Sequence, residues 1–357
     1  MEQFATKNLR MTAAFATVIV ICLGVVAAYL IYPGIPGKSK FMKFEGYIEL
    51  PKSGPLNVLD YLTINNDTLF VTSESSGELF KVDLDVNHPF LSTVSELPGS
   101  GAAHGVALMM DHNVAFITRS EENTVDVFDP TSLRLLARIP VADDAGAILY
   151  VPSAKLVYVA NGDAKIATLI DPEKRITVGT VPLPGRPEFP ALDSRTGVLY
   201  QNLEDIDSIV AVDLAKRAVI GQWSLAPCEG PSGMAIDSER RRLFAVCSRN
   251  ATLVVFDLES HRVITSLKIG GGPDSVAFDR TLRRIYSAGK AGRLTIIQQD
   301  SPNAYRLLDE IRTHYGAHTL VLDPVSHRVF VGYASLFAHP RIGVFSPMVV
   351  NDVREGR

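Results

Sequence analysis

The chain has 357 residues, 46% of them hydrophobic and 21% charged, and its 35 basic against 39 acidic side chains leave a formal net charge of −4. That composition excludes a disordered or collagen-like chain, and the charge balance argues against nucleic acid as a partner. Three cysteines are too few for a disulfide framework; Cys22 lies in an apolar run, which leaves Cys228 and Cys247.

After a short tail (1–10), residues 11–32 carry no charge. As a helix at ~1.5 Å per residue this run would span ~33 Å, enough to cross a hydrocarbon core of ~30 Å. Two readings fit: an uncleaved transmembrane signal anchor, and a cleaved signal peptide with small-residue sites at Val25-Val26-Ala27 or Val26-Ala27-Ala28. The run exceeds the ~7–15 apolar residues of a signal peptide, which favours the anchor. Either way the rest of the chain is expected on the extracytoplasmic side, periplasmic or extracellular. Lys7 and Arg10 before the run and Lys38, Lys40 and Lys43 after it nearly cancel as an orientation signal. Residues 33–42 read as a linker.

From residue 43 the chain repeats. An aromatic opens a β-like tetrad at Phe70, Phe116, Tyr158, Tyr200, Phe244, Tyr286 and Phe330, at intervals of 46, 42, 42, 44, 42 and 44. A second apolar strand follows each tetrad, usually ending in an acid such as Asp83, Asp129, Asp171, Asp213 or Asp257; Gln299 and Ser346 replace it in the last two repeats. A turn with a basic residue and a further strand come next. Another acid stands seven residues before the aromatic at Asp193, Asp237, Asp279 and Asp323. Short strands at this pitch, without helical periodicity, predict four strands per repeat, and so an all-β, seven-bladed β-propeller over 43–348. The aromatics are expected to pack blade against blade. Residues 349–357 form a polar tail. The last blade lacks an outer strand, and KFEGYIELP at 43–51 is the expected donor, closing the ring.

The tetrads Phe70-Val71-Thr72-Ser73 and Tyr158-Val159-Ala160-Asn161, with the turns Gly230-Pro231-Ser232-Gly233 and Gly272-Pro273-Asp274-Ser275, resemble the YVTN-type seven-bladed propeller family. The resemblance implies an exported or surface protein. It implies no single ligand, because the motif is scaffold. Blades one and four depart from it most; Leu203 stands at the motif's fourth place in blade four.

Strand direction places the linker, and with it the anchor, at the bottom face. The bottom turns carry Arg240, Arg241, Arg242, Arg283, Arg284, Lys174, Arg175, Lys216, Arg217, Arg262 and Arg328, which read either as a membrane-facing surface or as ordinary solvated turns. The top face is then expected to look away from the membrane.

Aligning the repeats by their aromatics puts Val58, His104, Gly146, Glu188, Ser232, Asp274 and His318 around the top mouth of the channel. The histidines and carboxylates suit a divalent metal, with His104, His318 and Asp274 as the ligand set, or an acid–base pair. A solvated polar funnel without chemistry is the alternative. His314 and His339 stand near enough in sequence to extend the cluster. Top loops of blades one to four carry Glu74, Glu78, Glu121, Glu122, Asp163, Glu204, Asp205 and Asp207; those of blades five to seven carry Arg249, Lys290, Arg293 and Arg341. Arg119, Asn161 and Lys165 join the top-face candidates, and Phe189, Leu336 and Phe337 are its large apolar residues. Cys228 and Cys247 flank the same end of blade five, where pairing would bring them together as a disulfide or leave two buried thiols.

Walker-type loops, G-x-G-x-x-G after a strand, H-E-x-x-H, G-x-S-x-G and C-x-x-C-H are all absent from the sequence. No cofactor is therefore expected beyond a divalent metal at the channel mouth. The expected role is a membrane-anchored binding or scaffold propeller whose top face takes a protein or small ligand. The alternative is an extracytoplasmic enzyme, a lactonase-type hydrolase or dehydrogenase propeller subunit, working through the His/carboxylate cluster.

Overall fold

The computed structural model describes residues 35–52, 54–85, 87–88, 91–336 and 339–348. The apolar run 11–32 and the tail 349–357 lie outside the described residues. Among the described residues no helix is long and apolar enough to cross a membrane.

Seven four-stranded antiparallel sheets are arranged as propeller blades. Blade two shows the plan: from the axis outward it runs Ala103–Met109, Val114–Arg119, Thr124–Phe128 and Leu135–Pro140. The two middle strands are buried on both faces, which is why they read as continuous apolar runs, whereas the outer strand alternates. All seven repeat aromatics are at most 4% exposed and fill the gaps between neighbouring sheets. Tyr158, for example, clusters with Leu199 and Val210 of blade four. Burying one such side chain contributes ~1.5–3 kcal/mol, and the repeat supplies it seven times.

The recurrent acids have structural work. Asp129, Asp171 and Asp257 close the bottom turns by accepting backbone N–H bonds, as in Thr131 N to Asp129 Oδ1 at 2.8 Å. Asp193, Asp237 and Asp279 cap the turn after the innermost strand and also meet an arginine or histidine side chain from the next blade. Arg241 reaches Asp193, Arg283 reaches Asp237 at 2.7 Å, and His327 reaches Asp279 at 2.8 Å. Arg242, Lys174 and Lys216 are likewise paired, with Asp257, Asp171 and Asp213. Much of the expected basic bottom surface is thus compensated within the propeller.

Strand Met42–Glu49 lies antiparallel to Arg341–Pro347 and is the outer strand of blade seven. A two-residue ribbon, Leu56–Asn57 with Ser335–Leu336, joins blades one and seven at the top. The linker takes another course than expected. The Gly37 amide donates to the Arg312 carbonyl at 2.8 Å, at the top end of blade six's outer strand. Residues 37–41 then descend to the bottom, where Arg284 meets the Phe41 carbonyl, before the outer strand climbs again. The described chain therefore reaches the propeller at its top rim, not its bottom face.

Candidate functional site

In blades one to six the innermost strand begins at the top beside the axis with a bulge, and the residue after its first pairing partner projects into the mouth; in blade seven the residue just before the strand, His318, takes that place. In blades two to seven that residue is the expected one: His104, Gly146, Glu188, Ser232, Asp274 and His318 line a cavity of about 260 Å³. Blade one differs. Its first hairpin turns through two residues, Asn66-Asp67, with Asn66 at φ 49°, where blade three, for example, uses four residues, 152–155. The shorter turn moves the register by two, so Asp60 occupies the ring in place of Val58, and Tyr61 follows it. Tyr61 crosses the axis and stacks on Phe189 of blade four, ring centroids 4.8 Å apart and planes 15° from parallel. The mouth is accordingly a cup with an aromatic floor.

A second ring, from the residues just after each second strand, contributes Glu74, Gly162, Glu204, Ser248 and Lys290. Six carboxylates (Asp60, Glu74, Asp144, Glu188, Glu204 and Asp274) face two cations, Arg186 and Lys290, in the cup. Arg186 is largely engaged: it donates to Asp144 Oδ2 at 2.6 Å, contacts Asp163, and lies 3.8 Å from Glu204 and 3.9 Å from Glu188. The remaining negative charge is poorly solvated. Burial, then the charges of Glu204 and Asp274, push the Glu188 carboxyl up to about 8 against the pull of Arg186. Burial also raises Asp274 above its usual range, although His318 and Lys290 oppose the shift. The Tyr61 phenol rises well above its own, by burial and then by Asp60, Glu188 and Asp274.

The two histidines differ. His104 uses both ring nitrogens, Nδ1 with Asp60 Oδ2 at 2.6 Å and Nε2 with Ser120 Oγ at 2.9 Å. Burial opposes its charge, but Asp60, Glu74 and Asp144 outweigh burial and raise its pKa. Ser120, His104 and Asp60 stand in the order of a nucleophile–base–acid relay. The charges facing His104 are carboxylates, however, which oppose a developing oxyanion instead of stabilising it. His318 is 4% exposed, and its Nδ1–H donates to the Gly316 carbonyl at 2.8 Å. Its Nε2 lies 3.7 Å from Asp274 Oδ2. Donor atoms of Asp60, Asp274 and His318 all fall within 4.8 Å of one another. Of the ligand set read from the sequence, Asp274 and His318 share this spacing with Asp60, whereas His104 is engaged by Asp60 and Ser120.

Several top-face candidates belong to the scaffold. Arg119 is 1% exposed, donates to Asp126 Oδ2 at 3.1 Å and meets the Gly77 carbonyl. Asn161 is buried between the Ala142 carbonyl and the Thr168 hydroxyl. Arg341 holds Glu49 of the outer strand at 2.7 Å and lies over the Tyr47 ring. His339 bonds the Leu50 carbonyl and His314 the Tyr315 carbonyl, and neither lines the cup. Arg249 sits at the rim against the Glu204 carbonyl, Arg293 opens a strand of blade six outside the cup, and Lys290 alone among the four basic loop candidates lines it. Phe337 lies outside the described residues. Cys228 and Cys247 are disulfide-bonded, Cα atoms 5.3 Å apart, within the core cluster of blades four and five. Asp60, Tyr61, Asp144 and Arg186 escaped the sequence reading; the signal for the first two was the short Asn66-Asp67 turn.

No family model matches the chain, and no curated protein matches it. The YVTN-type resemblance thus stands on its residues alone. Among solved structures the chain is similar to Kuenenia stuttgartiensis hydrazine synthase, with a TM-score of 0.69 and 16% identity, over 80% of this chain and 95% of that one. At that identity the likeness shows the fold: a seven-bladed β-propeller.

Proposed function

We propose that the chain is a membrane-anchored, extracytoplasmic binding module that takes a cationic ligand in its top-face cup. The observation that carries the reading is the convergence of six carboxylates on one aromatic-floored cavity that contains only two cations. Such a cup concentrates counter-charge through its summed field, and an aromatic floor adds attraction for an organic cation. The Cys228–Cys247 bond supports an oxidising compartment. The anchor reading rests on residues 11–32. Five chain steps separate Tyr32 from Gly37, at most ~18 Å of extended chain, and Gly37 is bonded at the top rim. The cup is therefore held close to the membrane. We further propose that strand Met42–Glu49 is the clasp that closes the ring.

The test is calorimetry of the full-length chain in detergent micelles with spermidine and with citrate. Spermidine is expected to bind, more weakly as salt rises, and to lose affinity at least tenfold in Glu204→Gln/Asp274→Asn. Citrate is expected not to bind. Citrate binding without spermidine binding would overturn the reading. For the address, protease access to the propeller only from the extracytoplasmic side of sealed vesicles is expected.

A further inference from the structure

We propose that Asp60, Asp274 and His318 form a site for a divalent transition-metal ion at the mouth of the cup. The inference rests on the cation-binding reading above and sharpens it to one ligand class.

Three observations carry it. First, the Gly316 carbonyl accepts the Nδ1 hydrogen of His318, so the lone pair of the neutral ring is on Nε2. That atom is on a side chain more than nine-tenths buried, it makes no hydrogen bond, and it faces Asp274. A backbone carbonyl fixing one nitrogen while the other points at carboxylates is the arrangement of a metal-binding imidazole. Second, among the described residues no hydrogen-bond donor holds the carboxylate of Asp274, although it faces a cup lined by five other carboxylates. Third, two ligands bonded at ~2.0–2.2 Å in tetrahedral geometry lie ~3.4 Å apart. The His318–Asp274 separation of 3.7 Å is near that value, and all three donors fall within 4.8 Å. Closing the widest donor–donor gap from 4.8 Å to that value takes about 1.4 Å, within reach of side-chain rotation.

His104 then has a positioning role. It holds one oxygen of Asp60 at 2.6 Å and is itself fixed by Ser120, which leaves the other Asp60 oxygen for the ion. One imidazole and two carboxylates suit zinc, cobalt or manganese better than calcium, which prefers six to eight oxygens. With three protein ligands, at least one coordination position stays open toward the cup.

The experiment is titration of the full-length chain, stripped with chelator and kept in micelles, with Co²⁺, Zn²⁺ and Ca²⁺, alongside spermidine. One equivalent of Co²⁺ with a visible d–d band is expected, displaced by Zn²⁺, with Ca²⁺ at least tenfold weaker. Asp274→Asn and His318→Gln should each lose at least tenfold in affinity while keeping the wild-type unfolding transition. His104→Ala should lose ~10–100-fold yet retain the cobalt band, as a group acting through Asp60 would. Spermidine binding without metal binding would overturn the metal site and leave the cup reading intact. Failure of both would overturn both. Metal bound equally well by Asp60→Asn, Asp274→Asn and His318→Gln would place any site elsewhere and refute the assignment.

Discussion

Arg119 looks from the sequence like a loop cation on a binding face; the structure makes it a buried strut, and replacing it tests that difference. The side chain is 1% exposed, and Asp126 is 3% exposed. Arg119 Nε donates to Asp126 Oδ2 at 3.1 Å, while its Nη1 meets the Gly77 carbonyl of blade one, so the guanidinium stitches two blades together. Gly77 adopts φ +77°, and a Cβ there would collide with the Gly101 carbonyl, so the carbonyl that Arg119 meets belongs to a turn that requires glycine. Arg119→Met keeps most of the stem volume and removes both bonds. Removing one partner of a buried ion pair costs ~3–5 kcal/mol. Here Arg138 still holds Asp126 at 2.7 and 3.2 Å, which argues for the lower end, about 3 kcal/mol. Urea unfolding followed by tyrosine fluorescence and circular dichroism is the assay. Adding Asp126→Asn in the Arg119→Met background should recover part of the loss, because no buried carboxylate is then left short of partners. A destabilisation under about 1 kcal/mol, the range of a solvent-exposed ion pair, or a selective loss of spermidine affinity in a fully stable protein, would refute the strut.

Glu188 makes stability depend on pH. Its folded carboxyl is raised from 4.5 to about 8, so between those values the folded chain holds a proton that the unfolded chain has lost. That contribution is complete below the unfolded value and is lost as pH rises through the folded one. The limiting slope is ~1.4 kcal/mol per pH unit. Denaturation midpoints should thus fall from pH 5 to 8, and Glu188→Gln should flatten the decline; an unchanged slope in the variant would sink the assignment. Reducing Cys228–Cys247, which closes a 19-residue separation, should cost ~3 kcal/mol in chain-entropy terms, read as a lower urea midpoint in dithiothreitol. Deleting residues 35–49 from the chain exposes the edge of strand Arg341–Pro347. Loss of the monomeric folded form, with edge-driven association on gel filtration, is expected; a stable monomer would remove the clasp.

The fold was legible because a propeller repeats its own constraints. Seven aromatics at nearly constant spacing, and acids that cap the same turns in blade after blade, leave few other architectures. Asp193, Asp237 and Asp279 also explain why basic residues recur at Arg241, Arg283 and His327, since each bridges to the next blade. Read without partners, those cations look like a surface patch. The path of 37–41 was not legible. The strand Met42–Glu49 starts at the bottom of blade seven, but a linker can reach that start from above by running down the flank of its neighbour, and no periodicity encodes that.

The site was legible only as far as the repeat was regular. Alignment from the aromatics placed six of the seven ring residues in the cup and failed in blade one, where a two-residue hairpin replaced a longer turn. That single shortening changes the chemistry, because it puts a carboxylate where an aliphatic side chain was read. Asp60 then engages His104, while His318 turns its Nε2 toward Asp274. Tyr61, carried into the axis by the same shift, meets Phe189 from the opposite side and closes the floor. In a ring built of near-identical blades, the functional asymmetry thus sits where the repeat breaks. Arg186 follows the same logic in blade four, the other blade that departs most from the motif. Placed just before the ring residue Glu188, it bridges to Asp144 and Asp163 of blade three and approaches Glu204 of its own blade. The irregular blades one and four face each other across the cup, and it is their side chains, Tyr61 and Phe189, that stack across its floor.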